Sequence, residues 1–395
     1  MLISVVFFLF ISLAIISGLV SPAVRQFKSA NDLIRSRQSL FLSESGAEDA
    51  FFRLKTSQPI EESILLTLNG NTATTTITDS GYNEKTITAL GDVALRQRTS
   101  ELVLTTDEGI SFSYGVQSGV GGFEIGNATV NGNVYSNGTI VGANGATITG
   151  SAFSAGAGGL IDNVDVGQNG VGDAWAHKVQ YSTIAGNLYC QIYIDNNKDC
   201  DTSRADPETV AMPITQEMID KWKADAAIDG TLEGNLTISE PTTLGPKKIT
   251  GNLAIDDDLT VTGTIYVVGN ITTNNGAHVS LSSSYGPTGG IIVSDGGVNL
   301  ANNVMFYGSG SAGSYILLVT TDDAIEIHNN VGAILVNAQN STVHLYNNVS
   351  LNEVIGNKVI LNNNATINYL SGLANTSFSS GPSGGWNIES WREME

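Results

Sequence analysis

Charge is scarce in this chain of 395 residues, and cysteine is scarcer. Charged residues make up 14% of it, with 18 Lys and Arg against 38 Asp and Glu, and no basic tract offsets the formal net charge of −20. That balance opposes binding to a phosphate backbone, so nucleic acid is not an expected partner. The two cysteines, Cys190 and Cys200, are too few for a multi-bridge framework. Without a Cys-x-x-Cys pair they carry no zinc or redox-catalytic signature. His177, His278, His328 and His344 have no Ser or Cys nucleophile motif near them. No Gly-rich phosphate loop stands between a strand and a helix. Proline is also rare, 8 residues against 44 glycines, which suits a turn-dense all-β architecture, and a hydrophobic fraction of 41% can bury a core. No catalytic or cofactor-binding residue emerges, and the expectation is a protein that is not an enzyme.

What the chain does have is an opening segment, MLISVVFFLFISLAIISGLVSPAV, with no charge at all. About 20 apolar residues suffice to cross a hydrocarbon core, so the segment predicts a transmembrane helix. A cleavable signal peptide is the rival, but the basic n-region is missing and the helical pattern runs past any Ala-x-Ala-like site. Apolar positions continue through Phe27, Leu33, Ile34, Leu40, Phe41, Ala47, Ala50, Phe51 and Leu54, Asp49 and Arg53 form an i,i+4 pair, and Pro59 supplies a stop. A helix to about residue 55 would be roughly 80 Å long, kinked at Pro22. Arg25, Lys28, Arg35 and Arg37 follow the apolar run. By the positive-inside rule they would put the body in the cytoplasm, in conflict with the extracytoplasmic disposition reached below.

The rest reads as short strands. Segments such as TATTTITD, KTITAL, ELVLTT and ISFSYGV form a small antiparallel β-module. Beyond it the pattern repeats. GN[LI] recurs at Gly234, Gly251 and Gly269, and apolar-x-Asn-Asn-apolar recurs from Leu300, Ile327, Leu345 and Leu361. Most steps are 16 to 18 residues, the length of one β-solenoid coil with Asn or Gly in the left-handed conformation at its corners. The longer step from Leu300 to Ile327 implies an insertion. Aligned Asn side chains can bond along the stack as a ladder. TVNGNVYSNGTIVGANGATITG, at 129–150, has the same texture, with Val130, Ile140 and Ile148 facing in, so two solenoid stretches are expected, roughly 116–175 and 231–380. A β-sandwich competes, but its loops would not keep the register. Between the stretches PITQEMIDKWKADAAIDG predicts a helix capped by Thr215, with Met218, Ile219, Trp222 and Ala226 on one face and Asp229-Gly230 at its end. Such a helix could cover an exposed coil edge.

Cys190 and Cys200 flank a turn-rich stretch, and their pairing would close a loop worth on the order of 3 kcal/mol in an oxidising compartment. Within it Asp195, Asn197, Asp199 and Asp201 alternate as oxygen ligands do in calcium loops. Cys200 sits where an EF-hand needs Gly, and Asp206 would be the closing ligand; a solvated acidic hairpin is the competing reading. Asp256, Asp257 and Asp258 form the densest acidic cluster, read as an exposed turn in preference to a polysaccharide-lyase-like site, because only Lys247 and Lys248 are basic nearby. Eight Asn-x-Ser/Thr triplets occur, a number that solenoid corners alone would generate.

The uncharged N-terminus, the proline at position 22 and the amphipathic continuation resemble the N-terminal helix of type IV pilins. LFLSESGAEDAFFRLK, residues 40–55, is similar to the A-x-x-G-x-E-x-A-x-x-R segment of PilX-type pilus-assembly proteins. Val5 stands where major pilins carry a glutamate, and no pilin leader opens the chain. LGPKKITGNL, SGLANTSFSSGPSGGW and WNIESWREME resemble solenoid domains that accompany such N-termini in bacterial surface proteins. The expected organisation is mainly β: a long pilin-like transmembrane helix over 1–58, a small antiparallel module over 59–115, a first parallel β-solenoid (β-helix) stretch over 116–175, an insertion with the Cys loop and short helix over 176–230, and the main solenoid with its tail over 231–395. The resemblance implies a minor-pilin-like or membrane-anchored envelope protein, a single-pass anchor with an extracytoplasmic body serving pilus assembly, adhesion or spacing. Its partners would be membrane lipid, other pilin-like subunits and a surface glycan or protein. The alternatives are a membrane-tethered solenoid enzyme acting on polysaccharide and a self-polymerising solenoid scaffold.

Overall fold

The computed structural model describes residues 2–55, 63–81, 84–106, 113–370, 373 and 386–394. The chain divides into two compact units, one from Met1–Leu54, Pro59–Thr105 and Asn387–Glu395, the other from Lys55–Gln58 and Thr106–Trp386. In the first unit, helix α1 (Leu2–Lys55) runs unbroken through Pro22. It accompanies a sheet of β1 (Ile64–Leu68), β2 (Asn71–Gly81), β3 (Glu84–Val93) and β4 (Arg96–Thr106), with the strand Trp386–Met394 added beside β4. β1 to β4 form an antiparallel meander. Arg98 bonds Glu393 at 2.9 Å, and Arg392 pairs with Glu101.

The second half of α1 buries a stripe of small residues, Ser39, Ser43, Gly46, Ala47 and Ala50, together with Leu42 and Leu54. Their spacing keeps them on one helical face. With so little side chain between them, helix and sheet approach closely: a Cβ on Gly46 would lie 2.9 Å from Ala73 Cβ, and one on Gly91 would lie 2.3 Å from the Ser39 carbonyl oxygen. Ser43 Oγ and Ser100 Oγ are 2.7 Å apart, and Arg96 reaches Asp32 at 2.8 Å.

The transmembrane expectation is corrected. Among the described residues no helix is long and apolar enough to cross a membrane. The described apolar positions of α1 are interrupted by Ser4 and Ser12 and give way after Pro22 to Arg25, Lys28 and Asp32. What the first half of the helix offers is an exposed apolar surface on a continuous rod.

The second unit is the parallel β-solenoid that the repeats predict. Each coil has three short sides joined by corners, and apolar side chains such as Val116, Ile140, Ile161, Leu253, Ile265 and Val343 fill the axis. The two Asn patterns mark corners. In the GN[LI] series, Asn235 Oδ1 accepts from Asn252 N and Asn252 Oδ1 from Asn270 N, both at 2.9 Å. In the Asn-Asn series, Asn303, Asn330, Asn348 and Asn364 take φ near +60°. Their neighbours form a ladder in which Asn275 Oδ1 accepts from Asn302 N, Asn302 Oδ1 from Asn329 N, and Asn329 Oδ1 from Asn347 N.

The order of coils does not follow the order of the chain. The first series begins at β5 (Val116–Ile125) and runs outward to the strand Ile192–Ile194. The second begins at Thr231–Leu232 and climbs back to the strand Glu353–Leu361, which pairs in parallel with β5. Thr366–Asn368 likewise pairs with Thr129–Asn131. The two expected stretches are therefore one stack, started in its middle and closed by docking its last coil on its first.

Candidate functional site

Three surfaces arise from this architecture. The first is the N-terminal half of α1. Ile3 is 84% exposed, Phe8 72% and Phe27 71%, and Val5, Phe7, Phe10, Leu13 and Val20 are exposed too. Large apolar side chains exposed in this number are the kind of surface that partners cover. The same helix is fastened to its sheet from about Asp32 onward, so one half is held and the other is presented.

The second is the long flank of the solenoid formed by the first side of every coil. Outward side chains in register build a column from Lys248 through Tyr266, Val293, Val319, Asn337, Ile355, Gln117, Tyr135, Phe153 and Trp175 to Tyr189. Tyr135 and Phe153 stack at 5.6 Å, and Phe153, Trp175 and Tyr189 continue edge-on at 6.3 and 6.0 Å. Left bare, this would be an apolar ladder. The segment joining the two series covers it. Trp175 Nε1 donates to Ala205 O at 2.9 Å, Gly156 N to Pro207 O at 2.8 Å, the Tyr135 hydroxyl to Glu208 O, and Gln117 Nε2 to Ala211 O at 3.1 Å. Asn137 exchanges two bonds with the Val210 backbone. Arg204 lies 4.0 Å above the Tyr189 ring.

The covering segment ends in helix α2 (Gln216–Ala226), capped by Thr215, with Met218, Ile219, Trp222 and Ala226 buried. These residues pack with Ile214 on Tyr266, Ile291, Leu317, Leu335 and Ile355. The helix thus lies along a flank of several coils, not over the edge of one. Lys223 fastens it, reaching Asp295 Oδ1 at 2.5 Å, while Asp295 also accepts from the Tyr266 hydroxyl at 2.5 Å and from Thr321 Oγ1 at 3.0 Å. Burial pushes the Asp295 carboxyl up, but the bonds from Lys223, Tyr266 and Thr321 outweigh it and hold the group below the usual carboxylate range. Burial, then the bond to Asp295, raises the Tyr266 phenol. Sequence reading missed this cluster, because its members come from separate coils and no local motif joins them.

The third is the loop at the end of the first series, where Cys190 and Cys200 are joined by a disulfide with Cα atoms 5.4 Å apart. The proposed calcium ligands do not converge there. Asn197 accepts from Ile184 N at 2.9 Å and donates to Ile184 O at 3.0 Å, completing a coil side in place of a ligand shell. The Ser203 hydroxyl, and then Ser203 N, donate to Asp201 and hold its carboxyl below the usual range. Among the described residues no group of three His, Cys, Asp or Glu is placed to hold a metal ion. Of the expected set Asp195, Asn197, Asp199 and Asp201, Asn197 is thus engaged within the coil and Asp195 stands at a corner with φ +52°.

Of the histidines, His328 and His344 both stack on Tyr346, at 4.6 and 4.1 Å. Burial depresses the His344 imidazole. Asp258 in the acidic cluster meets His278 Nδ1 at 3.0 Å on an exposed side. Several triplet asparagines have their side-chain amide in use, as with Asn340 Nδ2 to Thr321 O and Asn364 Nδ2 to Asn348 Oδ1.

No family model matches the sequence, and no curated protein matches it. Among solved structures, the competence-associated pilin ComZ from Thermus thermophilus aligns over 91% of this chain and 97% of its own, at 12% identity and a TM-score of 0.32. A likeness at that level carries no argument about function.

Proposed function

We propose that this is a non-enzymatic, pilin-like subunit of the cell envelope whose solenoid is displayed at the surface for pilus assembly, adhesion or spacing. The supporting observation is the division of α1: the half from Asp32 onward is fastened to a sheet, while Ile3, Phe7, Phe8 and Phe10 stand exposed. In this reading the exposed half packs among the helices of other pilin-like subunits, where apolar area removed from water contributes about 25 cal/mol per Å². The solenoid faces offer repeated polar side chains to a surface glycan or protein. A disulfide between Cys190 and Cys200 suits an oxidising, extracytoplasmic setting.

The test uses intact cells and a membrane-impermeant thiol reagent, with and without prior reduction. Labelling of Cys190 and Cys200 only after reduction, together with protease access to the solenoid, is the expected result. Protection until lysis would overturn the surface assignment. In parallel, serine at Phe7, Phe8 and Phe10 is expected to abolish recovery of the protein in sheared surface filaments; unchanged recovery would refute helix packing as the mode of assembly.

A further inference from the structure

The docking of the last coil on the first joins two segments far apart in sequence, and one acid lies at that seam. Glu353 opens the strand Glu353–Leu361, is 1% exposed and has no hydrogen-bond partner for Oε2. On one side it is in register with Leu335. On the other, the next residue, Val354, pairs with Val116 of β5 and donates its N–H to Gly115 O at 3.0 Å. Val354 points into the axis, so Glu353 shares the outer side with Ile355. That side carries the apolar cluster of Ile214, Met218, Ile219 and Leu335. A buried carboxylate in such surroundings is costly unless neutral or paired.

Among the described residues no cation pairs with it. Lys358 on its own strand is paired at 2.6 Å with Glu124 of β5, and Lys223 on α2 is held by Asp295. The other titratable groups of the packed elements are His344 on the neighbouring strand, Tyr114 before β5, Asp201, Arg204, Asp206, Glu208 and Asp229 in the covering segment, and Glu217, Asp220, Lys221 and Asp225 on α2, where Lys221 is exposed and Arg204 lies over the Tyr189 ring. Burial alone acts on Glu353 and raises its carboxyl well above the usual range.

We propose that Glu353 is a pH-sensitive latch on the seam that closes the solenoid, holding the last coil against β5 while neutral and loosening that contact when it ionises. The sign follows from linkage. With the folded group more basic than the unfolded one, the folded seam binds the extra proton. Stability is then complete below the ordinary carboxyl range and falls as pH rises toward the raised value. Across that interval one released proton increases the open population about tenfold per pH unit. Because the seam joins the two series of coils, its opening separates them without unwinding either.

The experiment is amide hydrogen exchange on the full chain from pH 5 to 9, corrected for intrinsic rates, with E353Q and E353L beside the parent. Expected is a loss of protection with rising pH in β5 and Glu353–Leu361, absent from the outlying strands Leu160–Asp162 and Lys178–Gln180, and abolished in both variants. A flat parent profile, a slope shared equally by the outlying strands, or a slope that persists in E353Q or E353L would overturn the latch. The leucine variant keeps the readout if the glutamine packs poorly.

Discussion

Ser39 Oγ donates a 2.8 Å hydrogen bond to the carbonyl oxygen of Gly91, across the contact between α1 and β3. The bond is buried, and a Cβ on Gly91 would lie 2.3 Å from Ser39 O and 2.7 Å from Ser43 N. Backbone, not a flexible side-chain tip, is what the new atom would meet. Gly91→Ala is therefore expected to push the helix off the sheet and to destabilise the first unit by about 1–3 kcal/mol, the usual range for overpacking. Urea unfolding followed by circular dichroism reads this; an unchanged midpoint would contradict the close approach.

Removing an asparagine from the middle of a ladder orphans a backbone donor. Asn302→Ala takes the acceptor from Asn329 N. A loss of about 1–2 kcal/mol is expected, as for a donor left without its partner. Asn302→Asp retains the acceptor and should recover much of it, which denaturant titration of the two variants side by side would reveal.

Acid should release α2 before the coils come apart. Asp295 is held below the usual carboxylate range, so its contribution is present above that range and lost as pH falls through its own lowered value. Trp222, fully buried against the flank, is the reporter. Its emission is expected to shift to the red on acidification, and Asp295→Asn should show the shift already at neutral pH. Identical profiles for the two proteins would remove Asp295 from the fastening of the helix.

Cleaving the Cys190–Cys200 bridge frees a loop of about ten residues, for which chain entropy gives a loss of about 2–3 kcal/mol. Reduction, or the double serine variant, should lower the thermal midpoint, while added calcium should leave it where it was because Asn197 is bound to Ile184. Calcium-dependent stabilisation would instead support the ligand reading of Asp195, Asn197, Asp199 and Asp201.

The coil was legible in the sequence because its corners repeat. A left-handed backbone at Asn303, Asn330, Asn348 and Asn364 favours Asn or Gly once per coil, and that preference shows as a near-period broken only where a coil carries an insertion. The order of the coils was not legible, since every coil presents similar edges and nothing local says that Glu353–Leu361 neighbours β5. WNIESWREME reads as a tail for the same reason: its sheet partner, β4, lies far back in the chain. The buried stripe of α1 was obscured by composition, because Ser39, Ser43 and Gly46 carry almost no hydrophobic signal although they are the contact. The apolar run pointed to lipid, since periodicity reports that a surface must be covered and not by what.

The segment from Cys200 to Gly230 spans the outside of the stack from the free end of one series to the free end of the other. An added coil at either end would move the two points it must connect farther apart by about 4.8 Å. The solenoid therefore carries its own ruler, and the number of coils it can hold is set by how far these residues reach.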